Sequence, residues 1–486
     1  MAEEIEPHIA RKFEIIQKLG KGAYGIVWKA VDKKLKTVVA LKKVFDAFHN
    51  ATDAQRTFRE IMFLQELNGH ENIVRLLNII KAENNKDIYL VFDYMETDLH
   101  AVIRAGILEE VHKKFIIYQI LKSLKYIHSG ELIHRDLKPS NILLNSECHM
   151  KLADFGLARS IAINEEDCTP PILTEYVATR WYRAPEILLG STNYTKAVDM
   201  WSIGCILGEL VIGKAVFPGT STANQIERIL ELNGKPSDQD VESLESPLAS
   251  HILSSVAMIK RKSFQQFFQG ASDDCLDLIR RLLVFNPKMR LTVDQAIRHK
   301  YLKEFSSPEE EIVCQEPIKI PMNDNKKFSI KEYREALYDD INRRKKEQRK
   351  KWQAKYLQQL GMNPDDLIDG NQFINQNDQQ QQPVSFFQKS NKIENQNNSQ
   401  AVQKSNIEEI QQIIRQQQIQ SQQLKKSQSQ VIVQPAQKLT SQKSASNIVA
   451  QIYNNFSSQD SKFHQQQQFL QQQLQQLQQK SLKKKT

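Results

Sequence analysis

His134-Arg135-Asp136-Leu137-Lys138-Pro139-Ser140-Asn141 is the stretch on which the reading of this 486-residue chain turns. It sets a carboxylate that can accept a proton beside a lysine two residues on, with an amide oxygen donor three residues further. Asp154-Phe155-Gly156 follows, then Thr174-Glu175-Tyr176 and Ala184-Pro185-Glu186, all within 53 residues. Taken singly, Asp136 reads as a helix N-cap and Asn141 as a turn residue. Those readings leave the ordered set unexplained. A base, two cation ligands, a modifiable loop and a structural anchor account for all of it.

Upstream, Gly20-Lys21-Gly22-Ala23-Tyr24-Gly25-Ile26-Val27 lies between two strand-like runs. Glycine lets backbone amides approach phosphate oxygens closely. A dinucleotide fold would need a helix directly after the glycines, whereas Ile26–Val31 reads as strand, so the string reads as a flap over phosphates. Lys42 ends the apolar run Val39-Ala40-Leu41. Alone it reads as a snorkelling surface lysine; with Glu60 on the helix predicted at Ala54–Leu67 it becomes a phosphate-holding ion pair. Leu19, the glycine string and Ala40 are the expected nucleotide contacts. Met95 is expected to offer its amide to an adenine edge and Asp98 to meet the ribose.

Strands are predicted at Glu14–Leu19, Gly25–Val31, Thr37–Val44, Val74–Ile80 and Ile88–Phe92. Beyond them the pattern is helical: Ile117, Ile120, Leu121 and Leu124 repeat at helical spacing, and Val198–Leu210 is apolar nearly all round. The expected fold class is α+β, with a small β-rich lobe and a large α-rich lobe over 13–302. An extension packing on them and ending in a basic helix is expected over 303–352, and a disordered glutamine-rich tail over 353–486. The tail holds 39 glutamines, and its thirteen lysines and Arg415 outweigh eight acids, a net +6 of the chain's +9. Such a composition buries too little apolar surface to order itself. The charge belongs mostly to the tail, so no direct nucleic-acid role is expected. Five scattered cysteines without a CxxC pair suggest neither disulfides nor zinc and fit a reducing compartment. An N-terminus without an apolar run and the lack of a spanning stretch predict a soluble intracellular protein with no membrane role.

With these motifs in place, the chain resembles a eukaryotic protein kinase over about Phe13 to Leu302. Thr174 to Glu186 is similar to the mitogen-activated protein kinases. The resemblance implies ATP-dependent transfer to Ser or Thr, preferentially followed by Pro, with Mg2+ as cofactor. Asp136 would accept the hydroxyl proton, Lys138 would reach the migrating group, and Asn141 and Asp154 would hold the metal. Thr174 and Tyr176 would be phosphorylated. Arg56, Arg59, Arg135 and Arg159 resemble the socket for the phosphothreonine, and Arg180 and Arg183 the pair for the phosphotyrosine. Glu186 with Arg290 resembles a buried brace, and Asp199 an anchor for the catalytic backbone.

Phe92 at the back of the nucleotide pocket, the 160–173 loop and the segment Phe328–Tyr338 with its long tail look like the self-activating extracellular-signal-regulated kinase seven/eight branch. Phosphorylation of its own loop is the implied consequence. Glu309-Glu310-Glu311 lies where the family keeps an acidic patch for docking peptides. The basic run from Arg343 to Lys351 reads as a helix extension or a nuclear-import signal. The expected location is cytoplasmic, with nuclear entry open through that run; basal bodies or cilia rest on the resemblance alone. A cyclin-dependent kinase and a kinase-fold scaffold acting through its tail are the rival readings. The first fits Tyr176 poorly, and the second fits poorly with Lys42, Glu60, Asp136, Asn141 and Asp154 all present.

Overall fold

The computed structural model describes residues 4–22, 25–162, 179–192, 195–256, 260–324 and 326–359. Ala23, Tyr24, Thr174, Tyr176 and most of the glutamine-rich tail lie outside the described residues.

The small lobe is one antiparallel sheet of five strands: β1 (Phe13–Gly22), β2 (Gly25–Asp32), β3 (Val38–Val44), β4 (Leu76–Lys81) and β5 (Ile88–Asp93), in the order β1-β2-β3-β5-β4. Side chains alternate across it, as a two-residue period demands. Val39 and Leu41 are buried with Phe13, Ala30, Tyr89 and Val91 on one face, while Ala40 and Lys42 turn to the other. A short helix α1 (Pro7–Lys12) closes the first face by burying Ile9 completely. The compact unit thus begins before Phe13, on the strength of one isoleucine. Gly25 has a packing duty: a Cβ there would lie 2.2 Å from the carbonyl oxygen of Lys43.

Helix α2 (Ala51–Glu66) crosses the sheet and starts three residues earlier than the apolar pattern implies. Asn50 explains the shift, since its side-chain oxygen accepts from the amides of Thr52 and Asp53, both at 2.9 Å. The buried stripe Phe58, Ile61, Met62 and Leu64 faces the core.

Beyond β5 the chain enters the helical lobe through α3 (Leu99–Ala105) and α4 (Glu110–Ser129). The apolar helix spans Ala197–Ile212 and is buried from Val198 to Leu210. Gly204 and Gly208 let its neighbours in, because a Cβ at either would come within 2.7 Å of Leu283, Phe268 or Val216. The hairpin Ile142–Leu144 and Met150–Leu152 carries the catalytic segments on its two ends.

After the lobe, the chain returns toward the small lobe. The Ile318 amide donates to Gly130 O at 2.8 Å. Further along, the helix Ile330–Gln359 lays Tyr333 against Phe58 of α2, ring centroids 5.7 Å apart. Tyr333, Leu337 and Ile341 join the main core. Among the described residues no helix is long and apolar enough to cross a membrane.

Candidate active site

Strand β3 aims Lys42 into the cleft and α2 presents Glu60 opposite. Lys42 Nζ donates to Glu60 Oε1 at 2.6 Å. Burial opposes the ammonium charge, yet the carboxylates of Glu60 and Asp154 more than offset it and raise the lysine pKa. A lysine held charged between two acids is suited to meeting phosphate oxygens. Val27 pairs with Lys42 across the strands and shares its face. Among the described residues nothing lies within 4 Å of where a Cβ on Gly20 or Gly22 would stand. Two expectations for this string change. Ile26 is fully buried on the face opposite Val27 and Lys42, so its side chain packs in the lobe. Gly25 is required by β3, and its role is packing before ligand approach.

Leu19 is exposed on β1, and Met95 is half-buried after β5. Ala40 pairs with Phe92, which is buried in the main core. Asp98 departs from a purely ribose-binding role: Oδ1 accepts from the Ala101 amide at 2.9 Å and caps α3. Its second oxygen is the one that can face a ligand.

The catalytic loop is held from below. Asp199, fully buried, accepts from the His134 amide at 2.9 Å, the Arg135 amide at 2.8 Å and His128 Nε2 at 2.9 Å. Burial would push its carboxyl up, but these donors, His128 foremost, pull it below the usual range. Arg135 needs that support, because its φ of 68° lies in the left-handed region; Asp154 has the same φ. His134 Nε2 reaches Ala153 O at 3.1 Å and its ring packs 4.9 Å from buried Phe155.

On this support Lys138 Nζ donates to Asp136 Oδ2 at 2.6 Å. Asn141 Nδ2 donates to Asp136 O at 2.9 Å and to Oδ2 at 3.3 Å. Its amide hydrogens are thereby committed, which leaves Oδ1 as the atom to face a cation. The Ala153 amide donates to Asn141 O at 2.9 Å, tying the two expected metal ligands, Asn141 and Asp154, to one another through the hairpin. An oxygen-only donor set of one carboxylate and one amide suits magnesium, which keeps part of its water and takes the rest from phosphates.

Glu186 and Arg290 form a bidentate pair, both contacts 2.7 Å. Of the expected phosphothreonine socket, Arg59 and Arg159 converge, and Arg135 is near enough to Arg59 to lower its pKa. What fills the space between them had no counterpart in the sequence reading: Asp324 Oδ1 lies 2.5 Å from Arg59 Nε and its Oδ2 2.8 Å from Arg159 Nη1. The Arg56 carbonyl oxygen lies 3.7 Å from where a Cβ on Gly156 would stand. Arg180 Nη1 donates to Thr220 O at 3.3 Å, and Arg183 is half-buried in the same turn. The acidic patch shrinks. Glu311 has a fully buried side chain, gripped by Arg298 at 2.5 and 2.6 Å and by Lys125 at 3.0 Å, so only Glu309 and Glu310 face outward.

A two-lobed cleft with this lysine–glutamate pair, this loop and these cation ligands is that of a protein kinase, and the protein kinase domain family matches residues 13–302. The chain is 62% identical over 351 residues to "Extracellular signal-regulated kinase 2" of Dictyostelium discoideum, covering 72% of this chain and 95% of that one. It is 55% identical over 344 residues to "Mitogen-activated protein kinase 15" of Xenopus laevis, covering 70% and 59%. To "Extracellular signal-regulated kinase 7" of Drosophila melanogaster it is 48% identical over 346 residues, covering 70% and 38%. The chain therefore spans under two thirds of the length of the last two. It belongs to the mitogen-activated protein kinases, on the extracellular-signal-regulated kinase seven/eight branch, and is a protein serine/threonine kinase. Protein kinases of this family use ATP with magnesium and act on protein substrates.

Proposed function

We propose that the chain transfers the γ-phosphoryl of ATP to Ser or Thr followed by Pro, and phosphorylates its own Thr174 and Tyr176. The carrying observation is the closed set of Lys42–Glu60 at 2.6 Å beside Asp154, facing Asp136, Lys138 and Asn141 on one braced loop.

In this reading Lys42 fixes the α- and β-phosphates, and Asp136 accepts the proton of the incoming hydroxyl. Lys138, already hydrogen-bonded to Asp136, turns its remaining donors to the migrating group. Asn141 Oδ1 and the Asp154 carboxylate would hold magnesium. When bound, that ion neutralises charge on the phosphate oxygens. Most of the catalysis asked of the protein is positioning and electrostatic. The strained backbone at Arg135 and Asp154, fixed by Asp199 and the hairpin, supplies that positioning in advance. Met95 and Asp98 would orient the adenosine, with Phe92 closing the space behind it.

Support for proline direction and self-phosphorylation comes from the loop sequence and the branch. Docking peptides would meet Glu309 and Glu310. The cytoplasm is the proposed location, with the nucleus, basal bodies or cilia reached through segments outside the catalytic unit. The test uses purified full-length chain, ATP and magnesium with a Ser-Pro peptide and its Ser-Ala counterpart, with loop phosphosites mapped by mass spectrometry. The Ser-Pro peptide is expected to be preferred by about tenfold or more, and Lys42→Ala expressed in bacteria is expected to carry no loop phosphate. Equal rates on the two peptides, or equal loop phosphate in Lys42→Ala, would overturn the corresponding part.

A further inference from the structure

The loop before the helix Ile330–Gln359 drops one carboxylate into a socket built of arginines. Asp324 meets Arg59 Nε at 2.5 Å and Arg159 Nη1 at 2.8 Å through its side chain, and its carbonyl oxygen accepts from Arg159 Nη1 at 2.5 Å. Both arginine side chains are about 5% exposed or less and that of Asp324 is 14% exposed. Arg59 belongs to α2 in the small lobe, and Arg159 lies in the large lobe just after Asp154-Phe155-Gly156. A single side chain therefore bridges the lobes immediately behind the cleft.

The strap that carries Asp324 is anchored on both sides. Before it, Ile318 is seated on Gly130, where a Cβ would come within 2.5 Å of the isoleucine. After it, Tyr333 is buried against Phe58 of α2, and its hydroxyl is 3.4 Å from both the Phe328 amide and the Lys326 carbonyl. Asp324 thus lies between two anchored points, Ile318 and Tyr333.

Arg59 immediately precedes Glu60. One helical turn therefore has its arginine tied to Asp324 and its glutamate tied to Lys42. In the same structure Phe155 is fully buried and packed against His134, the arrangement that aims Asp154 into the cleft. The charge balance points to the same role. Arg159 and Arg135 both lie close enough to Arg59 to lower its pKa, and Asp324 offers Arg59 and Arg159 a single negative charge. A phosphate monoester brings about −1.5 to −2 and three acceptor oxygens, and would fill the socket more completely.

We propose that Asp324 is a positioning residue for phosphoryl transfer: as the resident anion of the Arg59–Arg159 socket it holds α2, and with it Glu60, in place before phosphate arrives, and a phosphothreonine takes over from it. This rests on the reading above that phosphorylated Thr174 enters this socket.

The experiment compares full-length chains carrying Thr174→Ala with chains phosphorylated on Thr174, each with and without Asp324→Asn, by kcat and KM on one peptide. In the Thr174→Ala background, Asp324→Asn is expected to lower kcat about tenfold with peptide KM little changed. In the Thr174-phosphorylated chain the same substitution is expected to change kcat by less than about twofold. Asp324→Glu should recover part of the loss. Should Asp324→Asn melt early, Asp324→Ser takes its place in the comparison. Equal loss in both backgrounds would make Asp324 merely structural and overturn the proposal. So would no loss in the Thr174→Ala background, or a gain, which would make Asp324 an obstruction. If phosphorylation of Thr174 does not raise the activity of the otherwise unaltered chain, the underlying reading falls and the proposal with it. If it does raise activity while Asp324→Asn is silent, the proposal alone falls.

Discussion

Glu186 and Asp324 are both carboxylates gripped by arginine, and they are built for different ends. Arg290 uses all five of its donors: two on Glu186, and the others on the carbonyl oxygens of Val284, Ala197 and Phe285. Its side chain is 0% exposed and that of Glu186 3%, and the guanidinium also lies over Trp201 at 5.1 Å. Nothing can be exchanged there. Asp324, by contrast, serves two arginines, and Arg159 Nε has no hydrogen-bond partner among the described residues. Burial there, with Arg159 and Arg135 adding repulsion against the pull of Asp324, lowers the Arg59 pKa to about 10. The first pair is a brace whose satisfaction is complete. The second is a socket with charge to spare, and spare charge is what makes an anion site replaceable.

The comparison breaks most visibly on stability. Glu186→Ala strands a sealed guanidinium, and a loss of about 3–5 kcal/mol in unfolding free energy is expected by denaturant titration. Sulfate should not restore it, because no space admits the ion. Loss under about 1 kcal/mol would mean the brace is not sealed.

Elsewhere in the molecule, buried His70 gives the fold a pH dependence. Its Nδ1 accepts the Asn72 amide at 3.0 Å, its ring lies 4.8 Å from Tyr126, and burial lowers its pKa from 6.5 to about 4. Below 6.5 the unfolded chain binds a proton that the folded chain refuses until about pH 4. The neutral histidine's contribution is thus whole above pH 6.5 and lost as pH falls toward 4, by about 3 kcal/mol. Subtracting the profile of His70→Asn from that of the unaltered chain should show this loss. A flat difference would contradict it.

A smaller effect sharpens the contrast. Asp324→Ala should cost about 1–2 kcal/mol, since its socket can admit water or ions. Sulfate or phosphate should raise the melting temperature of Asp324→Ala more than that of the unaltered chain, and leave Glu186→Ala unmoved. Equal response in all three would erase the distinction.

The sequence carried the fold well where periodicity or glycine placement expressed it. All five strands of the small lobe fall within about three residues of their apolar runs, and the helix at Val198–Leu210 needed only its ends, Ala197 and Ile212. The catalytic motifs were legible because their members lie near one another along the chain or at recognisable spacings. Three features were not. Asp324 meets partners 265 and 165 residues away, from a polar stretch with no pattern, and only the folded return of the extension brings them together. Ile26 and Gly25 sit inside a string of ligand-contacting type, yet the strand pleat turns Ile26 away and the carbonyl of Lys43 claims the space above Gly25. Glu311 reads as one of three acids of a docking patch, but Arg298 and Lys125, whose approach depends on packing, enclose it.

The claim beneath all of this is that Asp136, held by Lys138, Asn141 and the Asp199-supported backbone, receives the substrate proton during transfer. The most direct measurement is peptide phosphorylation by Asp136→Asn, an isosteric change, beside the unaltered chain at matched loop phosphorylation. The account expects kcat to fall by about a hundredfold or more with the melting temperature nearly unchanged. A variant that phosphorylates the peptide as fast as the unaltered chain would contradict it.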